Sequence, residues 1–283
     1  MIIPIGDELL DRLLAEDSPF GDLTTAALGL GEQTGWMWFE ARVPMVVCGV
    51  EEAVRLILRA GATAATAHQR SGEAVAAGTR LLDAAGPIAA LLRAWKVAQT
   101  LVEALSGIAS EARAIVEAAH RGNPAARVAC TRKHFPGTKA LALRAIVAGG
   151  AIPHRLGLSE TVLVFPEHRL FLPADEPLAA TVARLRGNCP EKTLVAEATT
   201  GADALALARA GVDVIQLEKF TSAEIRTVAT ALQADGLATV IAAAGGIGPG
   251  NAEACAAAGA RVLVTSRPYL APPRDVQVRF QAA

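Results

Sequence analysis

From residue 126 onward the chain alternates short apolar runs with helical segments, six runs with five helices between them. The apolar runs are 128–131, 161–164, 193–197, 212–217, 239–243 and 262–265, and helical stretches fall near 138–148, 176–186, 201–210, 221–232 and 250–258. Strands separated by helices pair in parallel, because the helix carries the chain back to the start of the next strand. Six such units in tandem predict a parallel sheet, and short parallel strands curl readily into a barrel.

The first part of the chain lacks this rhythm. Residues 7–15 place Leu9, Leu10, Leu13 and Leu14 on one helical stripe with Asp7 as the N-cap, and 36–50 reads as strand, 51–59 as helix. Short strands with turns at Gly72 and Gly78 follow, then a long helix from about 88 to 118 with Leu91, Trp95, Ala98, Val102 and Leu105 on its apolar face. The expected fold is α/β: an N-terminal α+β sandwich domain over 1–110 and a C-terminal open six-stranded parallel α/β barrel over 111–269. The tail, 270–283, is expected to pack back on the first domain.

Composition narrows the function classes. With 52% hydrophobic and 19% charged residues the chain can fill a core and is not disordered. A net charge of −1 lacks the basic footprint of a nucleic-acid binder. The segment 236–252, the longest uncharged stretch, is broken by Gly245, Gly246, Gly248, Pro249 and Gly250, so no membrane span is expected. Residues 1–7 carry no basic-then-apolar leader, and Cys48, Cys130, Cys189 and Cys255 lack paired spacing. The expectation is a cytoplasmic protein with reduced, mostly buried thiols.

In parallel α/β sheets ligands bind at the carboxyl ends of the strands, where the following loops converge. Those ends carry Thr131-Arg132-Lys133, then Phe165-Pro166-Glu167-His168, Glu197, Glu218-Lys219, Ala244-Gly245-Gly246 and Thr265-Ser266-Arg267, with His154-Arg155 just before the second strand. Basic groups, two glutamates and a glycine pair on one rim suit a highly anionic substrate held with a divalent metal. Each group also has a plainer reading. Arg132-Lys133 is equally a solvated pair, His154-Arg155 a surface pair, Glu197 and Glu218 caps of the next helices, and Gly245-Gly246 a tight turn.

At these residues the chain resembles quinolinate phosphoribosyltransferase (nicotinate-nucleotide pyrophosphorylase). The resemblance rests on Thr131-Arg132-Lys133 with Pro136-Gly137, Gly149-Gly150 with His154-Arg155 and Gly157-Leu158, Leu105-Ser106-Gly107-Ile108-Ala109, Gly21-Asp22-Leu23-Thr24 and Glu197. The runs 216–220, 243–247 and 264–269 look like the pyrophosphorylase branch of that superfamily found in molybdenum-transport operons. The resemblance implies a type II phosphoribosyltransferase, a pentosyltransferase that moves ribose 5-phosphate from phosphoribosyl pyrophosphate to an acceptor, with Mg²⁺.

It also implies roles. Glu197 and Glu218 would hold the ribose hydroxyls and Mg²⁺, Gly245 and Gly246 beside Ala244 the 5′-phosphate, and Lys133 the pyrophosphate. Arg132, His154 and Arg155 would bind the acceptor's anionic groups, and Ser266, where the family has a glycine at the last strand end, would be among the substrate-binding residues. In a homodimer, Lys96 would reach in from the neighbouring subunit. The family pattern has a lysine where this chain has Phe165, an asparagine where it has Lys219 and a serine where it has Ala244. Removing a cation implies an acceptor less acidic than quinolinate, with Phe165 packed against its ring and Lys219 restoring some positive potential. Two alternatives stay open: ordinary quinolinate phosphoribosyltransferase activity, and a non-catalytic sensor of a nucleotide or oxyanion.

Overall fold

The structure is a computed structural model that describes residues 3–31 and 33–283; Met1, Ile2 and Glu32 lie outside the described residues. In chain order the elements begin α1 (Asp7–Asp17), α2 (Leu23–Ala27), β1 (Thr34–Ala41), β2 (Met45–Val46), α3 (Val50–Arg59), β3 (Ala64–Ala67), β4 (Ala74–Val75), β5 (Arg80–Pro87) and α4 (Ile88–Gly122). They continue β6 (Arg127–Cys130), α5 (Lys139–Ala148), β7 (Ile152–Pro153), β8 (Val162–Val164), α6 (Pro166–Arg169), α7 (Leu178–Asn188), β9 (Leu194–Ala198) and α8 (Gly201–Arg209). Last come β10 (Val214–Glu218), α9 (Ser222–Ala234), β11 (Val240–Ala244), α10 (Ala252–Ala257), β12 (Val262–Thr265) and β13 (Val276–Ala282), with a short 3₁₀ turn at Arg267–Leu270.

Two compact units result. The first holds Met1–Arg113, His134–Gly150 and Pro268–Ala283; the second holds Ala114–Lys133 and Ala151–Arg267. Helix α4 contributes residues to both.

In the first unit an antiparallel sheet runs β13-β1-β5-β3. Alternation along β1 turns Met37, Phe39 and Ala41 inward, where they pack with Leu56 and Ile57 of α3 and Leu91, Ala98 and Val102 of α4. The sequence segment 36–50 is therefore not one strand: it contains the end of β1, the short β2 and the start of α3. Asp7 is the first residue of α1, not its cap. That position belongs to Gly6, and Asp7 instead pairs with Arg55 and Arg59 of α3.

Helix α5 belongs to this unit, with Leu141 and Ala145 packed among Val46, Leu101 and Leu105. The Ser106-Gly107 pair in α4 is a packing device. Ser106 Oγ accepts a 3.0 Å hydrogen bond from the Cys48 N–H, and a Cβ on Gly107 would lie 2.4 Å from the Pro272 carbonyl oxygen.

The second unit is an open parallel sheet of seven strands in the order β7-β6-β12-β11-β10-β9-β8. The rhythm of the sequence predicts six; the seventh is β7, two residues long and too short to leave a periodic signal. Leu194, Ile215, Leu217 and Leu263 are fully or almost fully buried in this unit. The end strands β7 and β8 are not paired with each other. Their carboxyl ends nevertheless meet: the Arg155 guanidinium carbon lies 6.0 Å from the centre of the Phe165 ring. The sheet has curled far enough to bring its two edges together at one end.

No described helix is long and apolar enough to cross a membrane. All four cysteines are free, and burial pushes the thiols of Cys48 and Cys130 up to about 12, so neither is a nucleophile at neutral pH.

Candidate active site

The carboxyl ends of the parallel strands build one charged rim in the second unit. Strand β6 ends at Cys130, and Thr131 Oγ1 accepts a 3.2 Å hydrogen bond from the Lys133 N–H, which sets the turn that presents Arg132 and Lys133 to solvent. Pairing of β7 with β6 continues through the His154 N–H, which donates to the Cys130 carbonyl at 2.8 Å. That bond sets His154 and Arg155 beside the Thr131–Lys133 turn.

Arg155 is only 8% exposed, and its Nε has no hydrogen-bond partner among the described residues. Burial and the nearby Arg132 guanidinium hold its pKa below the ordinary value, with Glu160 opposing. Burial, then Arg155, likewise depresses His154. Arg155 is thus not a surface residue, and His154 beside it is half-buried. On the other edge, Phe165 leads into α6. Its N–H donates to His168 Nδ1 at 2.9 Å, and its ring stacks on the His168 imidazole at 5.8 Å.

Glu197 and Glu218 stand near the ends of the adjacent strands β9 and β10. Neither caps a helix. Thr200 caps α8 by accepting from the Asp203 N–H, and Thr221 caps α9 by accepting from the Glu224 N–H. Gln216, the register partner of Glu197 on β10, donates Nε2–H to Glu197 Oε2 at 2.7 Å. Burial raises the Glu197 pKa; Gln216 opposes the rise, the Glu218 and Glu167 carboxylates add to it, and Lys133 lowers it. Glu197 therefore feels the charges of Glu218, Glu167 and Lys133.

Ala244, the last residue of β11, is buried, and Gly245 and Gly246 follow with φ of +83° and +79°. Lys219, just after β10, has φ +62°, the only positive value at a non-glycine among the described residues. Its N–H donates to the Ala244 carbonyl at 2.8 Å. Ser266 is half-buried next to Thr265, whose Oγ1 donates to the Ile247 carbonyl at 2.8 Å and accepts from the Arg267 N–H at 3.1 Å.

Arg132, Lys133, His154, Arg155, Phe165, Glu197, Glu218, Lys219, Ala244, Gly245, Gly246 and Ser266 all belong to this unit. Lys96 belongs to the other. There its ammonium lies 4.1 Å from the Trp95 ring centre, and it lines an apolar cavity of about 510 Å³ with Leu13, Thr100, Leu105 and Leu141. The sequence reading gave no role to Gln216, which orients Glu197, or to Glu167, which repels it. A polar residue between Ile215 and Leu217 in the run 212–217 was the available signal for Gln216.

Comparison with known proteins agrees with this architecture. Residues 22–106 match the model of the quinolinate phosphoribosyl transferase N-terminal domain, and residues 108–279 match that of its C-terminal domain. The chain belongs to the quinolinate phosphoribosyl transferase family, and it is an enzyme of the phosphoribosyltransferase type. Among relatives, "Putative pyrophosphorylase ModD" of Rhodobacter capsulatus is 52% identical over 248 residues, covering 88% of this chain and 95% of that one. The protein of the same name from Escherichia coli O6:H1 is 36% identical over 274 residues, covering 97% and 96%. The solved nicotinate-nucleotide pyrophosphorylase of Francisella tularensis shares the fold, with a TM-score of 0.87 at 21% identity over 99% of this chain and 98% of that one.

Proposed function

We propose that the enzyme transfers ribose 5-phosphate from phosphoribosyl pyrophosphate to a nitrogen acceptor carrying less negative charge than quinolinate. The observation that carries this reading is that neither Glu197 nor Glu218 is used as a helix cap. Both helices that follow them are capped by threonines, so the two carboxylates, on neighbouring strands, are left to face the rim. A sensor of a simple oxyanion has no use for such a pair.

The residues fit Mg²⁺. No group of three or more His, Cys, Asp or Glu that could hold a metal occurs among the described residues, so the protein offers two carboxylates rather than a full cage. Mg²⁺ commonly binds through one or two carboxylates, with water and substrate phosphates completing the shell. Burial first, and after it the Glu218 and Glu167 carboxylates, raise the proton affinity of Glu197, and a divalent cation would offset that. When bound, the ion would neutralise charge on the pyrophosphate.

The chain's own groups would do the rest. As the acceptor nitrogen bonds to ribose C1, the bond from C1 to the pyrophosphate oxygen breaks, and its electron pair leaves with pyrophosphate. Lys133 and Arg132 would stabilise that departing charge, and Glu197 or Glu218 the positive charge building on the sugar. Arg155, with its buried Nε lacking an acceptor, would hold an anionic group of the acceptor, with His154 beside it. Phe165, where the family pattern has a lysine, gives this wall one cation fewer and an apolar ring.

In a homodimer, Lys96 of one copy would serve the site of the other. The resemblance of runs 216–220, 243–247 and 264–269 to the molybdenum-transport branch supports a place in molybdenum use. The test is turnover of phosphoribosyl pyrophosphate with quinolinate and with monocarboxylate or neutral nitrogen heterocycles, with and without Mg²⁺. Pyrophosphate release with a less acidic ring but little with quinolinate is expected. Efficient nicotinate mononucleotide formation from quinolinate would overturn the altered acceptor, and Mg²⁺-independent binding without turnover would overturn the transferase.

A further inference from the structure

Helix α6 has little of its own to hold it. It is four residues long, none of its residues is buried, and Leu170 and Phe171 just beyond it are exposed. A helix this short is marginal in water, because its first turn fixes several residues for one hydrogen bond. Pro166 sets φ at the first position, and the Phe165 N–H donates to His168 Nδ1 at 2.9 Å. Both devices act inside the turn and tie it to nothing else.

Arg169 supplies the missing tie. Its guanidinium forks onto Asp203 of α8, Nη1 to Oδ1 and Nη2 to Oδ2, each at 2.7 Å. The two side chains are only 22% and 24% exposed. Paired bonds of this kind fix direction as well as distance, and partial burial protects them from screening. Asp203 is itself held: its N–H donates to Thr200 Oγ1 at 3.2 Å, and α8 is seated through Ala204, Leu207 and Ala208. Among the described residues, no other side chain of α6 hydrogen-bonds to a different element.

The residues around α6 give this fork a consequence. Phe165 is the N-cap, and its ring stacks on His168 with the two planes 18° apart. The Arg155 guanidinium carbon lies 6.0 Å from the centre of the same ring. Glu167 of α6 is near enough to Glu197 to act on its carboxyl, so the helix borders the rim. An aromatic pair beside a buried cation suits a flat heteroaromatic ring carrying one anionic group.

We propose that the Arg169–Asp203 fork is a positioning device for acceptor choice: it fixes α6, and with it the Phe165–His168 wall beside Arg155. That the wall meets the acceptor rests on the transferase reading; that the fork holds the wall does not.

The test compares full-length wild type with Arg169→Gln, Arg169→Lys, Asp203→Asn and the double variant Arg169→Gln/Asp203→Asn. The first readout needs no ligand. It follows the carbon-labelled ring signals of Phe165 and His168 by NMR, with the cross-relaxation between the two rings. Both neutral single variants should shift these signals and lose the cross-relaxation. Arg169→Lys should lose part of it, because an ammonium does not match two carboxylate oxygens in a plane. The second readout is kinetic, with a monocarboxylate nitrogen heterocycle as acceptor. Here kcat/KM for the acceptor should fall roughly ten- to a hundredfold, the usual result of a displaced binding group. KM for phosphoribosyl pyrophosphate should hold, and a merely structural role would not split the two substrates in this way. The double variant should match the single ones, since each already breaks the fork. Circular dichroism checks folding, and Arg169→Lys, which keeps the charge, decides alone if a neutral variant unfolds. Rings that stay in place overturn the proposal, as does a double variant that loses far more than either single one. Acceptor kinetics unchanged after the rings have moved overturn it too. Moved rings in variants of a wild type that releases no pyrophosphate with any acceptor leave the fork standing and sink the transferase reading.

Discussion

Glu218 and Gly245 approach so closely across the β10–β11 pair that a Cβ on Gly245 would lie 2.8 Å from Glu218 Oε1. The same Cβ would lie 2.8 Å from the backbone nitrogen of Lys219, which cannot swing away as a side chain tip can. The spacing between a proposed metal-binding carboxylate and the glycine loop is therefore set by the absence of a side chain. Gly245→Ala should cost about 1–3 kcal/mol of stability from its φ of +83° alone. It should also weaken phosphoribosyl pyrophosphate binding; urea unfolding and equilibrium titration measure the two effects.

The Glu197 carboxyl should titrate above the ordinary carboxylate range in the free protein. Its folded pKa is raised, so its contribution to stability is present below the unfolded value and is lost as pH rises through the folded value. Glu197→Gln should accordingly gain stability relative to wild type on going from pH 4 to pH 7. Glu218→Gln removes a repelling charge and should bring the Glu197 titration down, as followed by carbon NMR of labelled side chains. Either variant should lose Mg²⁺-dependent binding of phosphoribosyl pyrophosphate, as should wild type in excess chelator.

His154 is displaced in the other direction for its type. Burial, then Arg155, lowers its pKa from 6.5, so it stays neutral in the fold at neutral pH. Its contribution to stability is present above 6.5 and fades as pH falls through the lower folded value. In Arg155→Gln the His154 ring protons should titrate at higher pH than in wild type. An unmoved titration would mean the two side chains are not coupled.

Lys133→Ala should fold normally, because Lys133 is exposed. It should lower the rate of pyrophosphate release by about 10²–10³, the usual effect of removing one preorganised charge from a transition state. Circular dichroism checks the fold and a coupled phosphate assay the rate. Near-wild-type turnover would remove Lys133 from the mechanism.

Phe165→Lys restores the cation of the family pattern at the end of β8. Activity with quinolinate should rise at least tenfold, and activity with the less acidic acceptor should fall. The Arg155 contact with the Phe165 ring is lost in this variant, so a parallel Phe165→Leu separates the new charge from the missing aromatic.

Much of this molecule is legible in the sequence because its signals are periodic or local. The alternation of short apolar runs and helices fixes a parallel sheet, since strands that return through helices have no other way to pair. The strand ends then make Arg132, Lys133, Glu197, Glu218, Gly245 and Gly246 candidates, as the residue that ends a strand is read directly from where the apolar run stops. Strand β7 escapes because two residues carry no period.

Relations between distant residues had to wait for the tertiary structure. Nothing in the sequence separates a helix-capping glutamate from one that faces a substrate. The capping of α8 by Thr200 and of α9 by Thr221 shows that Glu197 and Glu218 cap neither helix. Likewise, that Arg155 is buried against Phe165 depends on how the sheet curls, and that Arg169 meets Asp203 on how the helices pack. Side-chain periodicity records which face of an element is apolar; distances between elements arise only when those faces pack.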